Sequence, residues 1–178
     1  KDVIIKGNLT FNNTNTSENG VLVLGTADDF HLRSEYSNNM QNPEHYSGNP
    51  DVLSVTNSGA NLAFGSHDTM RLVNVSISTG GNLAMGTLEE MHIGTDLAQN
   101  NTFSVGTGGI NSDPDDSYMY ASELIKINGL NITGRVDNVY IEAITINLKN
   151  VKFPASSDVT LRRRDGTIGF NQFNNPIS

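Results

Sequence analysis

An eleven-residue phrase recurs along the chain and constrains the fold more than any other feature of the sequence. Each copy has an apolar–x–apolar triplet, then Gly followed by Thr or Ser, a polar stretch, and an apolar–cation–apolar triplet. The copies span residues 22–32, 62–72 and 83–93. A fixed period of roughly 21 residues is typical of one structural unit stacked on itself.

Further apolar–x–apolar triplets follow each copy, so every repeat divides into three short strands. Alternation with a period of two indicates a strand that has one buried face. Three strands per 20–22 residues, separated by Gly, Asn, Ser and Asp, predict an all-β fold. The specific prediction is a right-handed parallel β-helix (a β-solenoid) of about six triangular rungs. Val3–Ile5 and Leu9–Phe11 fit the second and third strands of an incomplete first rung.

The predicted organisation is a single β-solenoid domain over residues 1–178. First strands begin near residues 22, 62, 83, 118, 139 and 159, and the long gaps among them indicate loop insertions. The insertions cover about 33–51, 95–101 and 106–117, and a C-terminal tail covers 171–178. In stacked folds such insertions often lie on the functional face.

The composition excludes several classes of function. The absence of cysteine excludes a disulfide framework and a thiol nucleophile. No apolar run reaches about 18 residues, so we predict no membrane span. The formal net charge of -8 argues against nucleic acid as a partner. Residues 1–120 hold 14 acids and 4 bases, whereas residues 121–178 hold 5 acids and 7 bases, so one end of the molecule is more acidic.

Stacking would turn each repeated residue into a column on the surface. Acids at the corner after the first strand predict one column, and basic residues on the second strand predict another beside it. The acidic column contains Asp28, Asp68 and Glu89, and the basic column contains His31, Arg71, His92 and Lys126. We favour charge compensation on a solvated face; the alternative is a Ca²⁺ site, because Ca²⁺ binds several carboxylate oxygens.

A second candidate Ca²⁺ site is the loop that contains Asp113, Asp115 and Asp116. The loop lacks the Gly and distal Glu of an EF-hand, so a solvated turn is the favoured interpretation. Ca²⁺ is the one cofactor that we consider. No HExxH pair, GxSxG or phosphate-binding loop occurs, and we predict no catalytic residue. A polysaccharide lyase or hydrolase is the enzymatic alternative.

A column of hydroxyls at the corner contains Thr26, Ser66 and Thr87. Ice-binding surfaces are built from paired columns of Thr over many repeats, and this corner predicts one short column. We therefore expect these hydroxyls to accept hydrogen bonds from corner amides.

The two ends of the predicted stack are candidate assembly surfaces. A β-helix leaves one set of unpaired N–H and C=O groups at each end, and these must be covered or paired. The acidic first 120 residues and the arginine cluster Arg162–Arg164 of the last rung suit head-to-tail contact. Such contact builds a filament when the subunits do not close into a ring. The predicted interface contains Val3, Ile4, Ile5, Leu9, Phe11, Leu161, Arg162, Arg163, Arg164, Ile168 and Phe170. The rival interpretation is that the chain is cut from a larger solenoid.

Residues 138–170 resemble repeats of large, secreted, adhesin-like bacterial β-solenoid proteins, similar in style to filamentous haemagglutinin. The resemblance is carried by Asn138–Leu148, by Phe153-Pro154, and by Val159–Arg162 with Asp165-Gly166. It implies an extracellular or cell-surface structural role and brings no catalytic residues.

The sequence thus predicts a non-enzymatic extracellular structural protein that assembles head to tail as a homo-oligomer. The alternatives are an adhesin or a glycan- or ice-binding module, with surface glycans as candidate partners, and a polysaccharide-active enzyme.

Overall fold

The computed structural model describes residues 2–5, 7–11, 21–33, 52–95, 100–107 and 115–164. Of these residues 72% lie in strands and none lies in a helix, which confirms the prediction of an all-β fold. The described strands are β1 (Val3–Ile5), β2 (Leu9–Phe11), β3 (Val21–Gly25), β4 (Phe30–Arg33), β5 (Leu53–Asn57), β6 (Asn61–Ser66), β7 (Thr69–Val73), β8 (Val75–Thr79), β9 (Leu83–Thr87), β10 (Glu90–Ile93), β11 (Asn101–Val105), β12 (Asp115–Ala121), β13 (Leu124–Gly134), β14 (Val136–Ala143), β15 (Thr145–Lys152) and β16 (Asp158–Arg163).

The strands form two sheets in which the pairs are parallel. A six-stranded sheet has the order β16-β14-β12-β9-β6-β3. A ten-stranded sheet has two wings that meet in the long strand β13. Wing a contains β1, β4, β7, β10 and the first part of β13, and wing b contains β2, β5, β8, β11 and the second part. This arrangement is compatible with the predicted β-helix.

Each strand from β1 to β10 pairs with the strand that comes three places later in the chain. β1 and β2 join wings a and b respectively, as the opening triplets predict. One difference from the sequence analysis is that β13 and β15 continue through the position where separate second and third strands were predicted. β15 pairs with β13 on both sides of that position, from Leu124↔Thr145 to Asn131↔Lys152.

The apolar core is built from columns of inward-facing residues. Leu62, Leu83 and Val139 share one column in the six-stranded sheet, and all three are buried. Burial of each such side chain contributes about 1.5–3 kcal/mol relative to exposure. The inward positions of the first and last strands, Leu22 and Leu161 among them, are only partly buried. The core is therefore complete in the middle of the stack and thinner at both ends.

Left-handed backbone marks the passage from wing a to wing b. Four residues there have positive φ angles: Asn74 (55°), Gly94 (83°), Gly129 (84°) and Asn150 (52°). Gly and Asn are the residues that adopt this conformation at least cost. The abundance of Asn and Gly in the sequence is thus explained in part by a corner that recurs in the fold.

Buried asparagine side chains satisfy backbone groups at the same corner. Asn101 accepts a hydrogen bond from the backbone N–H of Val75 (3.1 Å) and donates to the carbonyl of Gly129 (2.8 Å). Asn128 donates to the carbonyl of Thr95 (2.7 Å) and accepts a bond from Asn150 (3.0 Å). A buried backbone group without a partner costs about 1–3 kcal/mol, so these amides hold successive strands in register.

We predict opposite effects for alanine at two glycines. Gly94 combines a φ of +83° with a position where a Cβ would overlap the carbonyl oxygen of Asn128. Gly94→Ala should lower the free energy of unfolding by about 1–3 kcal/mol. Gly65 has ordinary backbone and open space, so Gly65→Ala should be neutral or stabilise by up to about 1 kcal/mol. Urea denaturation measures both; equal losses would contradict this account of the corner.

Candidate functional site

The outward face of wing a carries the predicted basic column. The pairing register places His31 beside Arg71, Arg71 beside His92, and His92 beside Lys126. The column that the sequence predicted therefore exists. Successive residues of the column lie on adjacent strands, at the strand spacing of about 4.8 Å.

Acids lie two residues before both histidines of this column, on the same face. His92 donates an N–H to Glu90 (2.8 Å), and Nε2 of His31 lies 3.8 Å from Oδ2 of Asp29. Asp29 also accepts a hydrogen bond from the backbone N–H of Thr69 (3.0 Å). These contacts give both histidines an acidic neighbour on wing a, and the charge compensation that the sequence favours stays a prediction.

Burial lowers the pKa of His92 below its ordinary value of 6.5. The hydrogen bond to Glu90 opposes that shift, and the positive charges of Arg71 and Lys126 add to it. His92 is therefore held in its neutral form in the folded protein at neutral pH.

Two of the three corner hydroxyls bond to amides as predicted. Thr26 accepts a hydrogen bond from the backbone N–H of Asp28 (3.2 Å), and Thr87 accepts one from Glu89 (3.4 Å) and donates to the carbonyl of Asp68. Ser66 differs, because its hydroxyl is buried without a hydrogen-bond partner. The column is a structural corner rather than a binding surface.

The candidate Ca²⁺ sites stay predictions. Within the described part of the chain, no group of three or more His, Asp or Glu residues could hold a metal ion. Asp113 lies outside the described residues. Burial raises the pKa of Asp115, and nearby Arg135 partly opposes that shift. Asp116 is engaged in hydrogen bonds with neighbouring side chains, given below.

The predicted assembly residues that the structure describes lie at the two ends of the stack. Val3, Ile5 and Leu9 pack against one end of the core, and Leu161 packs against the other. The three residues of the arginine cluster all have contacts inside the molecule. Arg162 lies 3.9 Å from Glu142, and Arg163 donates to the carbonyl of Ile144 (3.2 Å). Arg164 lies over the ring of Tyr120, 5.6 Å from the centroid. Ile168 and Phe170 lie outside the described residues.

Wing b presents two hydroxyl columns that the sequence analysis did not recognise. One column contains Ser54, Ser76 and Thr102, and the other contains Thr10, Thr56, Ser78, Ser104 and Thr133. The second column has hydroxyl contacts between strands, such as Ser104 with Thr133 (3.0 Å). These columns were missed because the sequence comparison was made between corners and not between the outward positions of the third strands.

The six-stranded sheet carries a cluster of outward-facing tyrosines. The rings of Tyr118 and Tyr140 stack, with centroids 4.9 Å apart and planes 7° from parallel. Tyr118 is 41% exposed, and Tyr120 lies on the same face two residues further along β12. We call Tyr118, Tyr120 and Tyr140 the tyrosine wall.

Asp116 fixes the orientation of Tyr118. Its Oδ2 accepts a hydrogen bond from the Tyr118 hydroxyl (2.7 Å), and its Oδ1 accepts bonds from the backbone N–H (3.1 Å) and side-chain amide (2.9 Å) of Asn138. The backbone N–H of Asp116 donates to Asn82 (2.6 Å). The bond from its hydroxyl to Asp116, followed by burial, raises the pKa of Tyr118 to about 12.

A flat area of small residues adjoins the tyrosine wall on the same face. Ala63 and Ala84 precede Tyr118 in its column, and three glycines precede Tyr120 in the other. We call Ala63, Ala84, Gly25, Gly65 and Gly86 the floor. The sequence contains a signal for this surface, because the first strands change from Ala-x-Gly to Tyr-x-Tyr at the same two positions. The change can be recognised only when the pairing register of the strands is known.

No family model matches the sequence, and neither a curated protein nor a solved structure matches it. A helix long and apolar enough to cross a membrane does not occur among the described residues.

We predict that His92 contributes to the pH dependence of stability. Because its folded pKa is lowered, the unfolded chain binds the proton more strongly. The stability supplied by neutral His92 is present above the unfolded pKa of about 6.5 and is lost as the pH falls below it. His92→Gln should therefore flatten the fall in unfolding free energy on mild acidification, measured by urea denaturation at several pH values.

The control for this measurement is His67→Gln, which removes an exposed histidine. The same flattening in both variants would contradict a specific role for the buried ring of His92.

Proposed function

We propose that the chain winds as a right-handed parallel β-helix of about six triangular rungs. Support comes from the recurrence of three strand positions, each paired with its counterpart in the next repeat, which lies about 21 residues later where no insertion intervenes, as in Leu62↔Leu83. The handedness follows from the general rule that crossovers between parallel strands are right-handed in nearly all proteins.

We propose further that this β-helix is a non-enzymatic, extracellular structural subunit that assembles head to tail. The observation that carries the proposal is the loss of burial along each inward column. Val139 is fully buried, whereas Val159, the next residue in its column, is 37% exposed. Leu22 shows the same loss at the opposite end, relative to buried Leu62. Another β-helix stacked on either end would bury these positions.

Charge supports a head-to-tail rather than a head-to-head arrangement. The first 120 residues hold 14 acids and 4 bases, whereas β15 and β16 carry Lys149, Lys152, Arg162 and Arg163. Opposite charges on the two ends favour contact between unlike ends and disfavour contact between like ends. A heterologous contact of this kind builds an open filament.

The extracellular assignment is the part of the proposal that comes from the resemblance to adhesin-like solenoids. The absence of a recognisable catalytic motif in the sequence supports a structural role, with a polysaccharide-active enzyme as the alternative.

Assembly is tested with a charge placed at the exposed end of the core. Val159→Lys should raise the concentration at which oligomers form by at least roughly tenfold, which corresponds to about 1.4 kcal/mol. The reason is that the ammonium group would be buried without a partner at the contact. Analytical ultracentrifugation over a concentration series, with electron microscopy of the larger species, measures the effect.

Thr160→Lys is the matched control, because residue 160 is next to residue 159 but points to the outer face of the sheet. Thr160→Lys should assemble as the unchanged chain does, and thermal denaturation should show that both variants fold. A chain that stays monomeric at all concentrations, or two variants that behave alike, would contradict end-to-end stacking.

The hydroxyl columns of wing b favour ice binding as a second candidate function. Hydroxyls repeat at about 4.8 Å along each column and at about two residues, roughly 6.7 Å, between columns. The outward positions of β5, β8 and β11 include no charged residue. A regular, neutral array suits a crystalline surface such as ice better than a single small molecule.

Ice binding is tested by thermal hysteresis and by the shape of ice crystals grown in the protein solution. Ser76→Lys should abolish both effects, since the side chain would project from the middle of the array. Asn147→Lys, on the outer face of wing a, should retain them. An unchanged chain that shows no hysteresis would exclude this function.

A further inference from the structure

The tyrosine wall leaves one aromatic face open above the floor. One face of the Tyr118 ring packs on Tyr140, at a spacing close to the strand separation of about 4.8 Å. Because Tyr140 covers one face, the other face of the Tyr118 ring is directed toward Ala84, its neighbour on the adjoining strand. A methyl group is too short to cover an aromatic ring, which agrees with the 41% exposure of Tyr118.

The floor is flat although packing does not require it to be. A Cβ added at Gly65 or Gly86 would meet no atom within 4 Å, and neither residue has a positive φ angle. Glycine within a strand costs about 0.5–1 kcal/mol relative to alanine. Such glycines often mark a place where a ligand or another backbone approaches closely.

The wall is held rigid before anything binds. Asp116 fixes the phenol of Tyr118, Asn138 fixes Asp116, and Tyr140 supports the ring from behind. Arg164 lies over Tyr120 in a cation–π contact. An aromatic group fixed in this way loses little conformational entropy when a ligand packs on it.

We infer that the tyrosine wall and the floor form a binding surface for a flat, neutral glycan chain. The face of an aromatic ring carries partial negative charge, and it attracts the weakly positive C–H bonds on one face of a pyranose ring. Asn61 and Asn82 lie beside the floor, where their Oδ1 atoms accept hydrogen bonds from the backbone N–H groups of Asn82 (2.8 Å) and Asp116 (2.6 Å) and hold its margin in place. In this arrangement the glycan lies across the floor, with one sugar ring packed against the open face of Tyr118.

The charged residues around the floor and the tyrosine wall indicate which class of glycan the surface can bind. The outward positions of β3, β6 and β9 include no charged residue, while Asp116 and Glu142 lie on the strands of the wall. The floor carries no fixed charge that would attract an ionised sugar, so a neutral glycan suits it better than a polyuronate. The surface lies on the side of the stack, and the inference is independent of end-to-end assembly.

The test measures binding of cellohexaose, xylohexaose and chitohexaose to the full chain by calorimetry and by ligand-observed NMR. At least one should bind, and polygalacturonate should not. Tyr118→Ala should weaken binding by at least tenfold. Tyr118→Phe should retain more of the affinity than Tyr118→Ala does, since it keeps the aromatic ring. In the ultraviolet spectrum, Tyr118→Phe should also remove the tyrosine that titrates near pH 12.

Gly86→Val separates loss of binding from loss of folding. Its side chain points into open space and valine favours strands, so the melting temperature should match or exceed that of the unchanged chain. Binding should nonetheless fall at least tenfold, because the floor is obstructed. Asn147→Val on the outer face of wing a is the matched control and should bind normally.

Three results would overturn the inference. The first is failure of all three neutral glycans to bind, and the second is binding of polygalacturonate at equal affinity. The third is unchanged affinity in Tyr118→Ala or in Gly86→Val.

Discussion

The parallel backbone ladder is the interaction on which the rest of the structure depends. In-register hydrogen bonding holds equivalent residues about 4.8 Å apart, so one residue type repeated in sequence becomes a continuous column. Inward columns such as Leu62, Leu83 and Val139 form the core. Outward columns give each surface its own chemistry. A change at one position therefore alters a surface locally, whereas a change in register would alter the core and the surfaces together.

At the corner between wings a and b, the ladder turns where the backbone adopts a left-handed conformation at low cost. Gly and Asn meet that need between wings a and b, and the amides of Asn101 and Asn128 also bond to the backbone groups that the turn exposes. The same residue type thus supplies both the conformation and the hydrogen bonds. This double role explains why so polar a sequence encloses a continuous apolar core.

Strand positions and their parallel stacking were predictable, because apolar alternation and a fixed period are local properties of the sequence. The basic column was predictable for the same reason, since His31, Arg71 and His92 occupy one place in a visible phrase. The stack of Tyr118 on Tyr140 was missed because it lies where the phrase changes. The continuity of β13 was missed because its pairing with β15 runs on past the corner at Gly129, where the sequence indicates a break between two strands.

The two proposals occupy different surfaces, and this separation has a physical consequence. A stack of about six strands is roughly 30 Å long, so subunits joined end to end would repeat the tyrosine wall at about that interval. One glycan chain could then contact several walls, because the second contact forms at the effective concentration set by the first. A surface too weak to retain a glycan as a monomer would retain it as a filament. Affinity would then depend on the ends of the stack, although no residue of those ends touches the sugar.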